Sequence, residues 1–147
     1  MLRNKTCVPY LQWLTFVAAA LFALTTFADE PFTVEKPWGK YEVLGSGTDY
    51  VIKRLTVDPG HRFSLQTHQH RDEFWLILEG SGTVTVGDQQ FTNVDKGMIF
   101  HVPAGSRHRA AATGDTPLII AEVQQGDCDE QDIVRLEDDY QRASAVN

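Results

Sequence analysis

From Glu35 onward, apolar and polar residues alternate in short runs, and Gly, Pro or Asp interrupts them about every ten positions. A period of two over a few residues, closed by turn formers, specifies half-buried β-strands. The runs predict strands at 40–44, 50–57, 62–68, 73–78, 83–86, 89–92, 98–102, 108–111 and 118–125, with a last candidate at 133–136. No stretch in this region carries the 3.6-residue apolar spacing of an amphipathic helix. Between the runs lie Gly45-Ser46-Gly47, Asp58-Pro59-Gly60, Gly80-Ser81-Gly82, Gly87-Asp88, Pro103-Ala104-Gly105 and Gly114-Asp115, whose residues supply the backbone angles of tight turns. Many short strands with brief connections predict an all-β sandwich or barrel in a single domain.

The first thirty residues follow another pattern. Arg3 and Lys5 precede an apolar run at 11–24, and Thr26-Phe27-Ala28 offers small residues where a signal peptidase cuts. A signal segment at 1–28 is expected, with the domain at 29–147 exported to the periplasm or secreted. The alternative is an uncleaved membrane anchor, since the run is only slightly shorter than the roughly 20 residues that cross a bilayer. Removing 1–28 takes away two basic and no acidic residues, which leaves 119 residues and moves the formal charge from −7 to −9. That length holds one domain with its own core. No basic stripe exists to neutralise phosphates, so nucleic acid is excluded as a partner. Cys128 is the one cysteine left, so an internal disulfide framework is excluded too.

Strand alternation also sorts the chemistry. An extended 62–68 segment places Arg62, Ser64, Gln66 and His68 on one face and Phe63, Leu65 and Thr67 on the other. The second face is apolar and calls for cover, which points to a packed sheet or a homodimer. On the first face Gln66 and His68 can meet Glu73 at one metal ion. His108, just past the Pro103 to Gly105 turn, adds a fourth ligand-type group from a separate stretch. Imidazole with carboxylate suits a divalent ion, Zn first, with Mn, Fe, Co or Ni as alternatives. The competing reading is a metal-free polar network made of the same side chains. His70 shares the parity of Gln66 and His68 at the turn, where it serves as a ligand, a supporting group or an acid/base. Arg62 and Arg71 are candidates to clamp an anionic substrate group, against the alternative of surface ion pairs.

The spacings around Gly60, Gln66, His68, Glu73 and Gly80, and around Gly97, Pro103, Gly105 and His108, resemble the two cupin motifs, with Gln66 where most cupins carry a histidine. The resemblance implies a double-stranded β-helix of the jelly-roll kind with a metal inside the barrel. Further residues carry a closer likeness: Lys36-Pro37-Trp38-Gly39-Lys40-Tyr41-Glu42, Lys53 to Val57, His70-Arg71, Val102-Pro103-Ala104-Gly105, Glu122-Val123-Gln124 and Asp132-Ile133-Val134-Arg135. Together they make the chain similar to type II mannose-6-phosphate isomerase, usually the C-terminal part of bifunctional enzymes with a mannose-1-phosphate guanylyltransferase half. His101 and Ala112 stand where that family usually has Tyr and Asn, and Gly126-Asp127-Cys128 departs from its Gly-Asp-Tyr. No nucleotidyltransferase domain is expected within these residues.

The resemblance implies aldose–ketose isomerisation of a sugar or sugar phosphate in polysaccharide metabolism. Gln66, His68, Glu73 and His108 would hold the metal, His70 would act as general base with Lys53 behind it, and Arg62 and Arg71 would bind a substrate phosphate. Two other functions stay in view: an exported cupin that binds or senses sugar without turnover, and a metal-dependent dioxygenase.

Overall fold

The computed structural model describes residues 30–142. The expected signal segment therefore lies outside the described residues. Eleven antiparallel strands are found there: β1 (Phe32–Lys36), β2 (Gly39–Ser46), β3 (Tyr50–Val57), β4 (Leu65–Thr67), β5 (Arg71–Glu79), β6 (Gly82–Val86), β7 (Gln89–Val94), β8 (Ile99–Val102), β9 (His108–Ala112), β10 (Leu118–Gly126) and β11 (Val134–Glu137). They form a six-stranded sheet, ordered β1-β2-β3-β10-β5-β8, and a five-stranded sheet, ordered β11-β4-β9-β6-β7. No helix among the described residues is long and apolar enough to cross a membrane.

Alternation within each strand decides what faces inward. In β3, Lys53, Leu55 and Val57 are buried; in β5, Arg71, Glu73, Trp75 and Ile77; in β10, Leu118, Ile120, Glu122 and Gln124. The interior thus has two zones. Towards one end it is apolar, with Ile77, Val84, Val94, Leu118 and Ile120 essentially inaccessible. Towards the other end the inward positions are charged or amide-bearing. A row of aromatic rings joins the zones: Phe63 lies 5.6 Å from Trp38 and 5.7 Å, edge to face, from Trp75.

Two elements differ from the sequence expectation. β1 was not among the predicted strands; it forms by pairing with β2 across a tight turn at Pro37-Trp38. The predicted strand at 62–68 is regular only over β4, and Arg62 makes an isolated bridge to Ala111. The break before Leu65 resets the alternation: Phe63, Ser64 and Leu65 are all buried, and Arg62 is left outside. Phe63 and Leu65 are consequently taken up within the subunit and provide no surface for a homodimer. Exposed apolar side chains occur instead on the outer face of the six-stranded sheet. There Ile52 faces Val123, which faces Phe74, and the neighbouring pair Leu76 and Ile99 continues the patch to the β8 edge, with Ile99 73% exposed.

Candidate metal centre and cavity

Four short segments deliver the polar groups to the charged end of the barrel. Gln66 in β4 pairs directly with His108 at the start of β9. His68 follows β4, and Glu73 faces inward from β5. The turn before His108 needs Gly105 at φ +77°, and its N–H donates to the His68 carbonyl over 2.6 Å, fastening the two ligand segments together.

The side chains converge. Ligand atoms of His68, Glu73 and His108 lie within 4.8 Å of one another, all three residues being buried. His68 Nε2 is 3.4 Å from Glu73 Oε1, and His108 Nε2 is 3.5 Å from Glu73 Oε2. The Gln66 amide nitrogen is 3.3 Å from His68 Nε2 and 3.5 Å from His108 Nε2. Each imidazole is oriented from behind: His68 Nδ1 faces the Asp132 carbonyl, and His108 Nδ1 faces the Ser106 carbonyl at 2.9 Å. A backbone carbonyl accepts only, so Nδ1 carries the proton and both Nε2 lone pairs point to the common centre.

Burial, with the Arg71 charge second, pushes the His68 imidazole down to about 3, and burial pushes His108 down to about 4. Both rings are therefore neutral at pH 7 and able to ligate. Burial also raises the Glu73 carboxyl, against the opposing Arg71 charge. Glu122 is raised to about 8, first by burial and then by the neighbouring Glu73 charge.

Glu73 Oε2 is buried and makes no hydrogen bond. An orphaned carboxylate oxygen beside two imidazole lone pairs is a set of donors without an acceptor, which a divalent cation would complete. The residues thus fit such an ion. Accommodating it requires Gln66 to turn its amide and break the 2.7 Å bond that Ser64 Oγ donates to Gln66 Oε1, and requires Arg71 Nη2 to leave its 3.1 Å contact with His68 Nε2.

A cavity of about 200 Å³ opens from this centre. Its wall includes Gln66, His68 and Glu73, together with Lys53, Arg71, Glu122 and Glu130. Lys53 is buried on β3, ion-paired with Glu130, with its Nζ 4.9 Å from the centre of the Tyr41 ring. Arg71 donates to Glu73 over 3.2 Å and to the Asp129 carbonyl over 2.8 Å. Two other predicted residues lie elsewhere. The His70 side chain is 66% exposed beside Asp132, because it stands on the turn between β4 and β5. Arg62 faces solvent and makes a two-pronged pair with Asp139 at 2.7 and 2.9 Å.

Three wall or support residues were not anticipated as site residues. Glu122 and Gln124 occupy inward positions of β10, where Leu118 and Ile120 set the parity. Gln124 Nε2 donates to Glu73 Oε1 (3.2 Å) and Glu122 Oε1 (3.0 Å), and Trp75 Nε1 donates to Glu122 Oε2 (3.0 Å). Polar residues breaking an inward apolar series were the signal available. Asp132 is the third. Its carboxylate accepts from the Gln69 and His70 amides, both at 2.9 Å, while its carbonyl holds His68.

The two titrations act on stability with opposite signs. The histidines have folded values below the ordinary 6.5, so unfolding takes up protons and their contribution is lost as pH falls from 6.5 towards about 3 to 4. Glu122 has a folded value of about 8 against an ordinary 4.5, so unfolding releases a proton and stability falls as pH rises through this window. Above pH 6.5 the histidines are neutral in both states, and the raised carboxyls, Glu122 with its neighbour Glu73, set the slope. The chelator-treated chain is expected to melt at progressively lower temperature from about pH 6.5 to 8, and Glu122→Gln to flatten that limb. Thermal melts at half-unit pH steps check it; an unchanged slope in the variant would contradict the assignment to Glu122.

Comparison with known proteins agrees with this architecture. The family model described as mannose-6-phosphate isomerase C-terminal matches residues 27–138. The chain belongs to that family. Over 112 residues the domain is 42% identical to the alginate biosynthesis protein AlgA of Pseudomonas aeruginosa, a match covering 76% of this chain and 23% of the relative. It is 41% identical over 105 residues to the mannose-1-phosphate guanylyltransferase RfbM of Salmonella typhimurium, covering 71% and 22%. The domain thus spans under a quarter of the length of these curated relatives. Among solved structures, a cupin-2 domain from Rhodospirillum rubrum superposes with a TM-score of 0.57 at 23% identity, covering 69% of this chain and 72% of that one. That likeness is one of fold: the domain has the double-stranded β-helix of cupins.

Proposed function

We propose that this domain is a metal-dependent aldose–ketose isomerase, with interconversion of mannose 6-phosphate and fructose 6-phosphate as its first candidate reaction. One observation carries the reading: two neutral imidazoles, a carboxylate and an amide converge, and three of them, on Gln66, His68 and Glu73, line a cavity whose wall also holds Lys53 and Glu122. The reaction moves a proton from the carbon beside a carbonyl to the carbonyl carbon and shifts a hydroxyl proton with it. Gln66, His68, Glu73 and His108 would hold the ion, Zn first, which when bound polarises sugar oxygens and offsets developing negative charge.

The remaining work falls to the wall. Lys53 and Glu122 are the deeply buried wall groups we assign to hold or pass a proton, and Trp75 and Gln124 keep Glu122 in place by hydrogen bonds to both of its oxygens. His70 is turned outward beside Asp132 and is not on the cavity wall, which favours the wall groups as the base. Trp38, Phe63 and Leu55 supply an apolar patch for the ring carbons and keep water from the proton being moved. We extend the reading to export of the mature domain from Asp29 onward, tested by the N-terminal sequence of protein recovered from the periplasm or medium. A second copy docked on the outer face of the six-stranded sheet would cover Ile52, Phe74, Leu76, Ile99 and Val123, and sedimentation velocity tests that dimer.

The experiment measures metal by mass spectrometry and mannose 6-phosphate turnover on the same samples of the full-length chain and its variants. Near-stoichiometric metal with turnover is expected for the parent, and loss of both for a Gln66→Ala/His68→Ala double variant. Lys53→Met is expected to keep the metal and lose about 10²- to 10⁴-fold in rate, the usual worth of a general acid or base. Metal without turnover would move the domain to sugar binding alone, and a chain that takes up none of Zn, Mn, Fe, Co or Ni would end the isomerase reading.

A further inference from the structure

Resting on the isomerase reading, we propose that Lys36, Arg135 and Arg142 form an anion subsite on the partly exposed part of the cavity wall, and that it receives the phosphate of a sugar phosphate. The distribution of charge is the first ground. The chain has 13 Lys and Arg against 20 Asp and Glu. On the cavity wall the balance inverts: Lys36, Lys53, Arg71, Arg135 and Arg142 face Glu73, Glu122 and Glu130. A cavity with excess positive charge in an acidic protein concentrates anions.

The second ground is where the cations lie along the wall. Arg71 is held by Glu73 and the Asp129 carbonyl, and Lys53 by Glu130. Both lie deep, near the four converging groups. The other three sit further out. Lys36, at the end of β1, has no carboxylate partner among the described residues and rests 5.3 Å above the Tyr41 ring. Arg142 is held by Asp138 through Nε (3.0 Å) and Nη2 (2.5 Å), with its guanidinium carbon 5.2 Å from the Tyr140 ring, so its plane is fixed before any ligand arrives. Arg135, on β11, is lowered by burial and then by the charge of Arg142. Two guanidinium groups on one cavity wall form a site for a tetrahedral dianion, Arg142 offering the N–H groups that its pair with Asp138 leaves over.

The layout also separates the two ends of a substrate. The reacting carbons belong beside Lys53, Glu122 and the converging ligands, and the phosphate at the outer cations. Arg62, the sequence-based candidate for this task, is outside the barrel on Asp139. The subsite was hidden because Lys36 and the Arg135 to Arg142 segment are nearly a hundred positions apart.

The test titrates the full-length, metal-loaded chain with inorganic phosphate, mannose 6-phosphate and mannose by calorimetry, for the parent and for Lys36→Gln, Arg135→Gln and Arg142→Gln. Each arginine substitution is expected to weaken phosphate and mannose 6-phosphate about ten-fold or more, with mannose affinity and metal content unchanged. Lys36→Gln, on an edge strand away from the Asp138 pair, keeps the test valid if an arginine variant misfolds. A parent that fails to bind phosphate, or variants that bind it as the parent does, would overturn the subsite. Phosphate binding lost in the variants without turnover in the parent would uphold the subsite and sink the isomerase reading; turnover untouched by all three substitutions would do the reverse.

Discussion

Glu73→Gln is expected to strip nearly all divalent metal from the domain while leaving it folded. Glu73 is the one carboxylate among the four converging groups, and His68, His108 and Gln66 are all neutral, so the substitution removes the only ligand charge facing the ion. The amide preserves the shape of the side chain and an oxygen for the Arg71 Nε–H that now reaches Glu73 Oε1. Affinity for Zn should fall by about 100-fold or more, at least the upper end of what is lost when only a supporting group is removed. The check is the rise in melting temperature on adding Zn, which reports occupancy through mass action. A variant that gains as much as the parent would show that the ion binds elsewhere, and a Glu73→Asp variant should retain a part of the gain.

Trp75→Ala is expected to be the most destabilising single change, costing about 3–5 kcal/mol. The residue is 1% exposed, packs edge-on against Phe63 at 5.7 Å and against His108 at 5.6 Å, and donates to Glu122 Oε2. The substitution leaves a cavity and strands a carboxyl oxygen in it. Trp75→Phe separates the two contributions: it keeps most of the packing and should cost about 1–3 kcal/mol, the penalty for an unsatisfied buried group. Urea unfolding of both variants at pH 7 measures the differences, and a Phe variant as weak as the Ala variant would refute this division.

Much of the barrel was legible because turn chemistry and a two-residue period mark strands locally. Gly80 to Gly82 and Gly87-Asp88 bracket β6 with little ambiguity. Sheet order was not legible, since β10 lies between β3 and β5 through contacts that span much of the chain. β1 escaped because five half-exposed residues pair only in the presence of β2. At the site, Gln66, His68, Glu73 and His108 could be grouped in advance because their spacing is short and a Pro/Gly turn presents the last of them. Arg62 was assigned to the interior by a parity that assumes unbroken extension, and the backbone leaves it between Arg62 and Leu65. Glu122 was masked by its neighbours: in a nine-residue strand with alternating apolar positions, one inward carboxyl reads as an outward one until the register with β5 is known.

The Asp132 carbonyl behind His68 also bears on the order in which the site comes into being. A chain made from its N-terminus presents Gln66, His68 and Glu73 early, but the group that orients His68 is some sixty positions later, and Gly126, so close to the His70 carbonyl that an added Cβ would lie 2.4 Å from it, arrives with the same late stretch. A ribosome-bound chain stopped before residue 132 would carry all the early ligands with one ring unanchored. A metal-ready centre is therefore among the last features a new molecule acquires, later than the strands that carry most of its ligands.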